Sequence, residues 1–417
     1  MSLKGIHNLV TNAKLFADDT SLFSEVSNLH SSANDLNRDL SKINDWAYQW
    51  KMQFNPDPTK QAQEVIFSRK IRNQSHPSLY FNNNPVQKTT SQKHLGLHLD
   101  TKLDFQEHLK KVFAKVNKPI ALLRKLRTIL PRSALLTIYK SFIRPHLDYS
   151  DIIYDQAFNN SFHQKLESIQ YNAALAITGA IRGTSTEKLY QELGLESLQQ
   201  RRWYRKLCIF FKIVKEKSPE YLYNIIPSSN TRRTRNSENI PLFSVKHNFY
   251  KNSFFPSVII EWDKLDSNIR NLDSFSLFKA SILKFIRPCS NSIFYCHNPT
   301  GIKLLSRLRL GLSHLRGHKF NHGFQDVLNP ICSCGQDIET SCHFLLSCPN
   351  YDEERNSLLN NVRQIAPNIL SLDDSQIAQI LLFGDPSLNN ETNTNILNIT
   401  INYLLSTKRF DESLFEN

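Results

Sequence analysis

The stretch Ala13-Lys14-Leu15-Phe16-Ala17-Asp18-Asp19-Thr20-Ser21-Leu22-Phe23 sets an apolar run on each side of an Asp-Asp pair. That pattern reads as a β-hairpin with both carboxylates at the turn. Adjacent carboxylates repel unless solvent or a cation screens them, and a divalent ion held by oxygen ligands is the usual functional solution. Mg²⁺ (magnesium) keeps a near-octahedral shell and needs one or two carboxylates plus substrate phosphates. A solvated turn accounts equally well for an isolated Asp-Asp, so the pair takes its meaning from the chain that follows.

Leu29, Ala33, Leu36, Leu40, Ile43, Ala47 and Trp50 recur at three- and four-residue spacing. They predict one continuous helix with a wide apolar stripe, capped by Ser31 or Ser32. Phe54-Asn55-Pro56-Asp57-Pro58 is a turn, and Glu64-Val65-Ile66-Phe67-Ser68 is strand-like. Hairpin, helix, turn and strand give an α+β layer with the acidic tip at one edge.

The charge pattern points to a polyanion. Fifty-one Lys and Arg face 38 Asp and Glu, a formal net charge of +13. Lys102 to Arg144 alone carries eleven bases against Asp104 and Glu107, whereas the chain from Asn350 onward is net −6. In the basic window Leu109, Val112, Val116, Ile120 and Leu123 keep helical spacing with cations between them. Pro131 suits the first turn of a second helix, which Pro145 is expected to close. A cationic helix face can track a phosphate backbone, while an ordinary solvated face explains the same pattern. Arg201, Arg202, Arg205 and Lys206, and then Arg232, Arg233 and Arg235, add further basic clusters.

Composition also excludes. The 40% hydrophobic and 11% aromatic content is enough to pack a core over most of the 417 residues. The 11 glycines form no GxGxxG or GxxxxGK motif, so dinucleotide-binding and P-loop chemistry lack a local signature. No run of about 20 apolar residues is present to span a bilayer. Seven cysteines and an N-terminal stretch without a secretory apolar run fit a reducing compartment.

Four of those cysteines crowd into Cys332-Ser333-Cys334-Gly335, Cys342-His343 and Cys348. Cys332, Cys334, His343 and Cys348 spell C-x-C-x8-H-x4-C, three thiolates and an imidazole suited to a closed, structural tetrahedral Zn²⁺ (zinc) site. Gly335 permits the tight turn that so close a thiolate pair requires. Cys342, His314, His318 or His322 are alternative ligands, and buried free thiols are the alternative to a metal altogether. The preceding Arg307-to-Phe320 segment is basic and expected to be helical, a contact to RNA or DNA. Cys208, Cys289 and Cys296 lack partner spacing and read as packing residues.

The ordered strings KLFADDTSLF, WAYQWKMQFNPDPTK, EVIFSRK and HLGLHLD, followed by the CSCG…H-x4-C cluster, resemble the reverse transcriptases of jockey-like non-LTR retrotransposons from just before their FADD motif onward. The resemblance implies an RNA-directed DNA polymerase in which Asp18 and Asp19 hold the catalytic Mg²⁺, and Lys60 lies beside the incoming triphosphate. His94 and Gly96 would then fall in the segment that grips the primer end. It further implies the second half of a polymerase palm over 1–105 and a basic helical thumb over 106–150, with Lys110, Lys111, Lys115, Arg124, Lys125 and Arg127 on the duplex. A helical connection over 151–300, a basic helix and CCHC zinc cluster over 301–355, and an acidic, Asn-rich tail over 356–417 would complete the order, with one short helix after Asn390. The implied partners are an RNA template, a DNA primer and deoxynucleotide triphosphates, with no membrane, in nucleus and cytoplasm. The family also uses an aspartate from an earlier strand, and the seventeen residues before Asp18 contain no Asp or Glu. The chain is therefore expected to be N-terminally truncated, and the alternative to a polymerase is an inactive remnant that only binds nucleic acid.

Overall fold

The computed structural model describes residues 9–16, 19–54, 62–69, 76–155, 160–227, 240–244, 246–285 and 292–411. Two compact units divide the chain at residues 110 and 111.

The first unit mixes one long helix with short two-stranded ladders. Strands β1 (Asn12–Phe16) and β2 (Asp19–Phe23) pair antiparallel, with Phe16 opposite Asp19. Asp19 is thus the first residue of a strand, so the expectation of both carboxylates at the turn is corrected for it; Asp18 lies outside the described residues. Helix α1 (Leu29–Gln49) starts at an N-cap that spacing alone misplaced. Asn28, not Ser31 or Ser32, accepts from the His30 and Ser31 amides at 2.9 and 3.2 Å, because it sits ahead of the first apolar residue where the free N–H groups point. Ala33, Ile43 and Ala47 of the expected stripe are buried, whereas Trp50 at its end stays exposed.

The remaining strands are short: β3 (Gln63–Glu64), β4 (Tyr80–Phe81), β5 (Asn84–Pro85), β6 (Gln87–Lys88), β7 (Ser91–His94) and β8 (Leu97–Asp100). Among the described residues they form separate ladders rather than one antiparallel sheet, and β3 with β6 is parallel. The strand expected over 64–68 keeps only its first residue in a ladder. Asp100 ends β8 by accepting from the amides of Lys102, Asp104 and Phe105 at 3.1, 3.0 and 2.7 Å, which turns the chain into helix α2 (Gln106–Leu126).

The second unit is helical. Helix α3 (Arg132–Ile138) begins after Pro131 and runs through a π-turn, Tyr139–Ile143, into α4 (Arg144–Asp148). Pro145 therefore does not close the helix as expected. It stands in the first turn after the π-turn, where its missing N–H costs no helical bond. Then come α5 (Asp151–Tyr154), α6 (Asn160–Thr178), α7 (Thr186–Leu193), α8 (Leu198–Lys215), α9 (Glu220–Tyr223), α10 (Asn248–Lys251), α11 (Phe254–Asp263), α12 (Ser267–Arg270) and α13 (Phe275–Leu283). One core gathers Phe210 and Phe211 of α8, Trp262 of α11 and Phe278 of α13, with the Phe211 and Phe278 rings stacked at 4.4 Å.

A second core joins α14 (Pro299–Arg309) to α16 (Asp352–Ile365), α17 (Asp374–Phe383) and α18 (Asn390–Ser406), with α15 (Arg316–Asn321) between. The segment read as an acidic tail with one short helix thus contains three helices. Their buried residues include Val362, Leu381, Ile396, Leu397 and Ile401. The acidic and amide residues interspersed in α16 and α18 mask their apolar positions in the composition, whereas α17 is short enough to pass as an isolated apolar run. At Gly301 of α14, a Cβ would lie 2.1 Å from Ile401 Cγ2, so only glycine lets α14 and α18 approach this closely.

Candidate metal centre

The Cys/His loop is built by short-range hydrogen bonds. Ile331 and Ile338 form an isolated antiparallel bridge, and Cys332 N donates to Asp337 O at 2.8 Å. Gly335, at φ +77°, turns the chain so that its amide reaches Cys332 O at 2.9 Å. His343 then opens a π-turn (His343–Ser347), its amide held by Thr340 Oγ1 at 3.1 Å, and the turn delivers Cys348 whose N–H returns to His343 O at 2.8 Å.

These turns bring Cys332, Cys334, His343 and Cys348 together, their four ligand atoms all within 4.8 Å of one another. Cys332 Sγ lies 3.7 Å from Cys348 Sγ, and Cys334 Sγ 3.3 Å from His343 Nε2. A tetrahedral zinc with ordinary Zn–S and Zn–N bonds separates its ligands by roughly 3.5–3.8 Å, so this donor set closes on a zinc-sized volume. Cys332, His343 and Cys348 are buried, and Cys334 faces partly outward. Burial pushes the Cys348 thiol up to about 12, the electrostatic cost that a divalent cation would offset. The Gln336 amide points at Cys334 and lowers its thiol below the usual value. Cys342 stands outside the group and donates weakly to Asp374 O. His318 is no ligand either: its ring nitrogens face Ser313 Oγ at 2.8 Å and Ser341 Oγ at 3.4 Å, and burial pushes it down to about 4. His322 Nε2 faces Gly311 O at 3.2 Å.

Two residues that no motif singled out anchor this loop. Glu339 is buried and accepts from Nε and Nη2 of Arg409 at 2.8 and 2.9 Å as well as from the Arg316 amide at 2.6 Å. Arg409 follows α18, so the fork locks the end of the helical segment onto the metal loop. Phe344, next to His343, packs its ring against Tyr351, Tyr403 and Phe410.

The Arg307-to-Phe320 segment is not the single basic contact helix that its composition suggests. Arg307 and Arg309 point into the protein: Arg307 Nε donates to Gly179 O at 2.9 Å, and Arg309 meets Glu192 at 3.1 Å. Arg132 shares Glu192 at 2.7 Å, so this member of the basic window is buried too. Likewise Arg201 pairs with Asp148 at 2.6 Å, Arg202 with Asp155 at 2.7 Å, Arg205 with Asp151 at 3.3 Å, and Lys206 with Asp155. That cluster staples α8 to α4 and α5 instead of offering free charge. Arg232, Arg233, Arg235 and Cys289 lie outside the described residues, while Cys208 and Cys296 are buried.

Helix α2 keeps its cations outward. Lys110, Lys111, Lys115, Arg124 and Lys125 are exposed and Arg127 is half-buried. Lys111, Lys115, Lys118 and Lys125 fall within about 80° of one another around the helix. Val112, Val116, Ile120 and Leu123 are buried on the opposite side.

In the first unit, Lys60 lies outside the described residues with Asp18. Asp19 is exposed. Ser21, two residues along β2, has its Oγ 3.4 Å from His94 Nδ1, which brings the turn His94-Leu95-Gly96 to the aspartate hairpin. Leu95 and Gly96 take φ +45° and +87°, a two-residue turn with both centres left-handed. The hairpin's other anchor, Asp39 of α1, has no motif. It is fully buried and accepts from Val10 N, Thr11 N and Thr11 Oγ1 at 2.8, 2.7 and 2.8 Å.

The chain is 27% identical over 201 residues to a probable RNA-directed DNA polymerase from transposon X-element of Drosophila melanogaster, a match covering 48% of this chain and 21% of that protein. It is 26% identical over 188 residues, 44% of this chain and 20% of the relative, to the RNA-directed DNA polymerase from mobile element jockey of the same organism. The matched region thus spans about a fifth of the length of these relatives. No protein-family model and no solved structure matches. No helix among the described residues is long and apolar enough to cross a membrane. The ordered strings and the two matches agree: the chain is a homologue of the RNA-directed DNA polymerases of the X-element and jockey transposons, at modest identity over about half its length.

Proposed function

We propose that the chain serves as part of an RNA-directed DNA polymerase of a non-LTR retroelement, copying an RNA template from a DNA primer with deoxynucleotide triphosphates. The observation that carries this reading is the approach of the His94 turn to the hairpin that bears Asp19, at 3.4 Å through Ser21, in a chain homologous to such polymerases. Residues 1–105 act as the palm portion, 106–150 as the thumb, 151–300 as the connection and 301–355 as a zinc-stiffened module. Asp18 and Asp19 supply carboxylate oxygens, Lys60 faces the triphosphate, and His94 and Gly96 steady the primer end. Bound Mg²⁺ would activate the primer hydroxyl and neutralise the leaving pyrophosphate. The Lys stripe of α2, with Arg124 and Arg127, holds the duplex backbone, and the Cys/His centre holds Zn²⁺ as a structural ion. The site of action is the nucleus, with passage through the cytoplasm.

Primer extension on an RNA template tests the reading: the full chain extends the primer with Mg²⁺, and Asp18→Asn or Asp19→Asn abolishes extension while RNA affinity is kept. A chain that binds RNA but extends nothing points to the second reading, nucleic-acid binding without polymerisation. The outward Lys stripe of α2 favours that reading independently of the aspartates. Under it both Asn variants match the wild type, and binding still weakens steeply with salt.

A further inference from the structure

Exposure divides the four donors of the Cys/His centre. Cys332, His343 and Cys348 are buried, at 3%, 4% and 0% exposure, whereas Cys334 is half-buried and sits between the exposed Ser333 and Gly335. Nothing lies within 4 Å of a Cβ built on Gly335, so the turn beside Cys334 is open to a small molecule. Behind it, two more sulfurs stand within reach. Cys332 Sγ and Cys348 Sγ are 3.7 Å apart, and all four ligand atoms lie within 4.8 Å of one another. A disulfide spans about 2 Å, so a contraction of at most about 3 Å brings Cys334 to bonding distance of either. A thiol held by a divalent cation is deprotonated outright, and the thiolate is the nucleophilic form. Cys342 offers the contrast within the same loop: it is also half-buried, but it lies outside the ligand group and donates to Asp374 O, so it keeps its proton.

We propose that Cys334 is an oxidant-reactive modification site: a peroxide reaches this one thiolate of the centre, and a neighbouring ligand, Cys332 or Cys348, resolves it as a disulfide that opens the metal site. The proposal rests on the structural-zinc reading above, which supplies the thiolates. In the first step Cys334 Sγ attacks one oxygen of hydrogen peroxide. The S–O bond forms, the O–O bond breaks, and the second oxygen leaves as hydroxide, which takes a solvent proton. Sulfur is oxidised to the sulfenic acid and the peroxide is reduced. In the second step the resolving thiolate attacks Cys334 Sγ; the S–S bond forms, the S–O bond breaks, and hydroxide again leaves and takes a proton. Two thiolates, one hydrogen peroxide and two protons thus give one disulfide and two waters. Only one thiolate and His343 remain as donors, too few for a closed tetrahedral site. The π-turn between His343 and Cys348 carries Phe344 and Leu345 into the core shared with α14, α16, α17 and α18, so opening the site loosens that core.

The test treats the full chain, purified with zinc and freed of reductant, with hydrogen peroxide. A chromogenic chelator reads zinc release, peptide mass mapping reads the disulfide, and Tm reads the core. About one equivalent of zinc should leave, a disulfide should join Cys334 to Cys332 or Cys348, and Tm should fall; reductant with fresh zinc should restore it, because a disulfide is reversible where a sulfinic acid is not. Cys334→His keeps four donors without the reactive sulfur and should release zinc about tenfold more slowly, whereas Cys342→Ser should match the wild type. If Cys334→His does not fold, the mass map of the wild type decides alone. Zinc that stays bound under peroxide, or leaves with Cys334 unmodified, overturns the proposal while the zinc reading stands. A chain that carries no zinc before oxidation defeats the zinc reading itself, and the proposal falls with it.

Discussion

The aspartate hairpin of residues 12–23 and the Cys/His loop of residues 331–348 are both short, locally coded turns, and they are held in different ways. The hairpin leaves Leu15, Phe16 and Phe23 exposed, at 41%, 64% and 48%, and depends on a few polar ties such as Asp39 to Thr11 and Ser21 to His94. The loop is surrounded. Phe344 and Leu345 of its π-turn enter a core shared with α14, α16, α17 and α18, and Glu339 ties it to Arg409. A ladder of two strands buries little by itself, whereas a ligand loop seated on a helical core inherits the core's rigidity. The geometry of the Cys/His centre is therefore over-determined, and that of the hairpin rests on single contacts.

Four experiments would break or sharpen that contrast. The largest effect is expected from the metal centre. Cys348→Ser, or chelation, should lower Tm by more than about 10 °C, since structural zinc contributes roughly 10 kcal/mol in small domains and a larger core retains part of its stability without it. About one equivalent of zinc released on thiol modification would establish occupancy; unchanged melting with no zinc released would remove the metal from the account. Next, Glu339→Gln breaks a buried fork and should cost about 3 kcal/mol in denaturant unfolding, because Arg409 loses its counter-charge. A cost below about 1 kcal/mol would show that the loop stands without the end of the chain.

Asp39→Ala tests the hairpin's dependence on single contacts, with an expected cost of about 2 kcal/mol. Hydrogen exchange confined to residues 10–23 reads it, and protection unchanged there would contradict the role. Burial alone would raise the Asp39 carboxyl, but the hydrogen bonds from Thr11 and Val10 outweigh it and hold the group below its ordinary value. Its stabilisation is thus complete above pH 3.8 and lost as pH falls through the lower folded value, so the same amides should deprotect in acid. The smallest effect belongs to Gly335→Ala. Nothing lies within 4 Å of the added Cβ, so only the left-handed backbone penalty of about 1–2 kcal/mol remains. Zinc affinity falling with it would confirm that the turn presents Cys332 and Cys334.

Some of this was legible residue by residue. Helix α1, the α2 stripe and the C-x-C-x8-H-x4-C spacing are periodic or local signals, and the described residues follow them closely. Charge was the poorest guide. Arg132, Arg201, Arg202, Arg205 and Arg309 look like a binding surface in the one-dimensional count and are internal ion pairs in the fold. Their partners Glu192, Asp148, Asp151 and Asp155 lie 47 to 117 residues away, beyond any local window. Pro145 misled for a related reason: a π-turn just before it puts the proline in the first turn of α4, where no N–H is needed, and nothing in the composition announces a π-turn.

By itself the amino-acid order determined the local chemistry. Adjacent carboxylates, thiolate spacing, glycine at the metal turn and the polymerase-like strings depend on neighbours along the chain, where sterics and ligand reach act over a few residues. Tertiary structure alone decided which charges face water, that the acidic C-terminal segment is core helix, and that Cys334 is the one donor of its four open to solvent. Those outcomes turn on burial and electrostatics, and both are set by groups that meet only after the chain has packed.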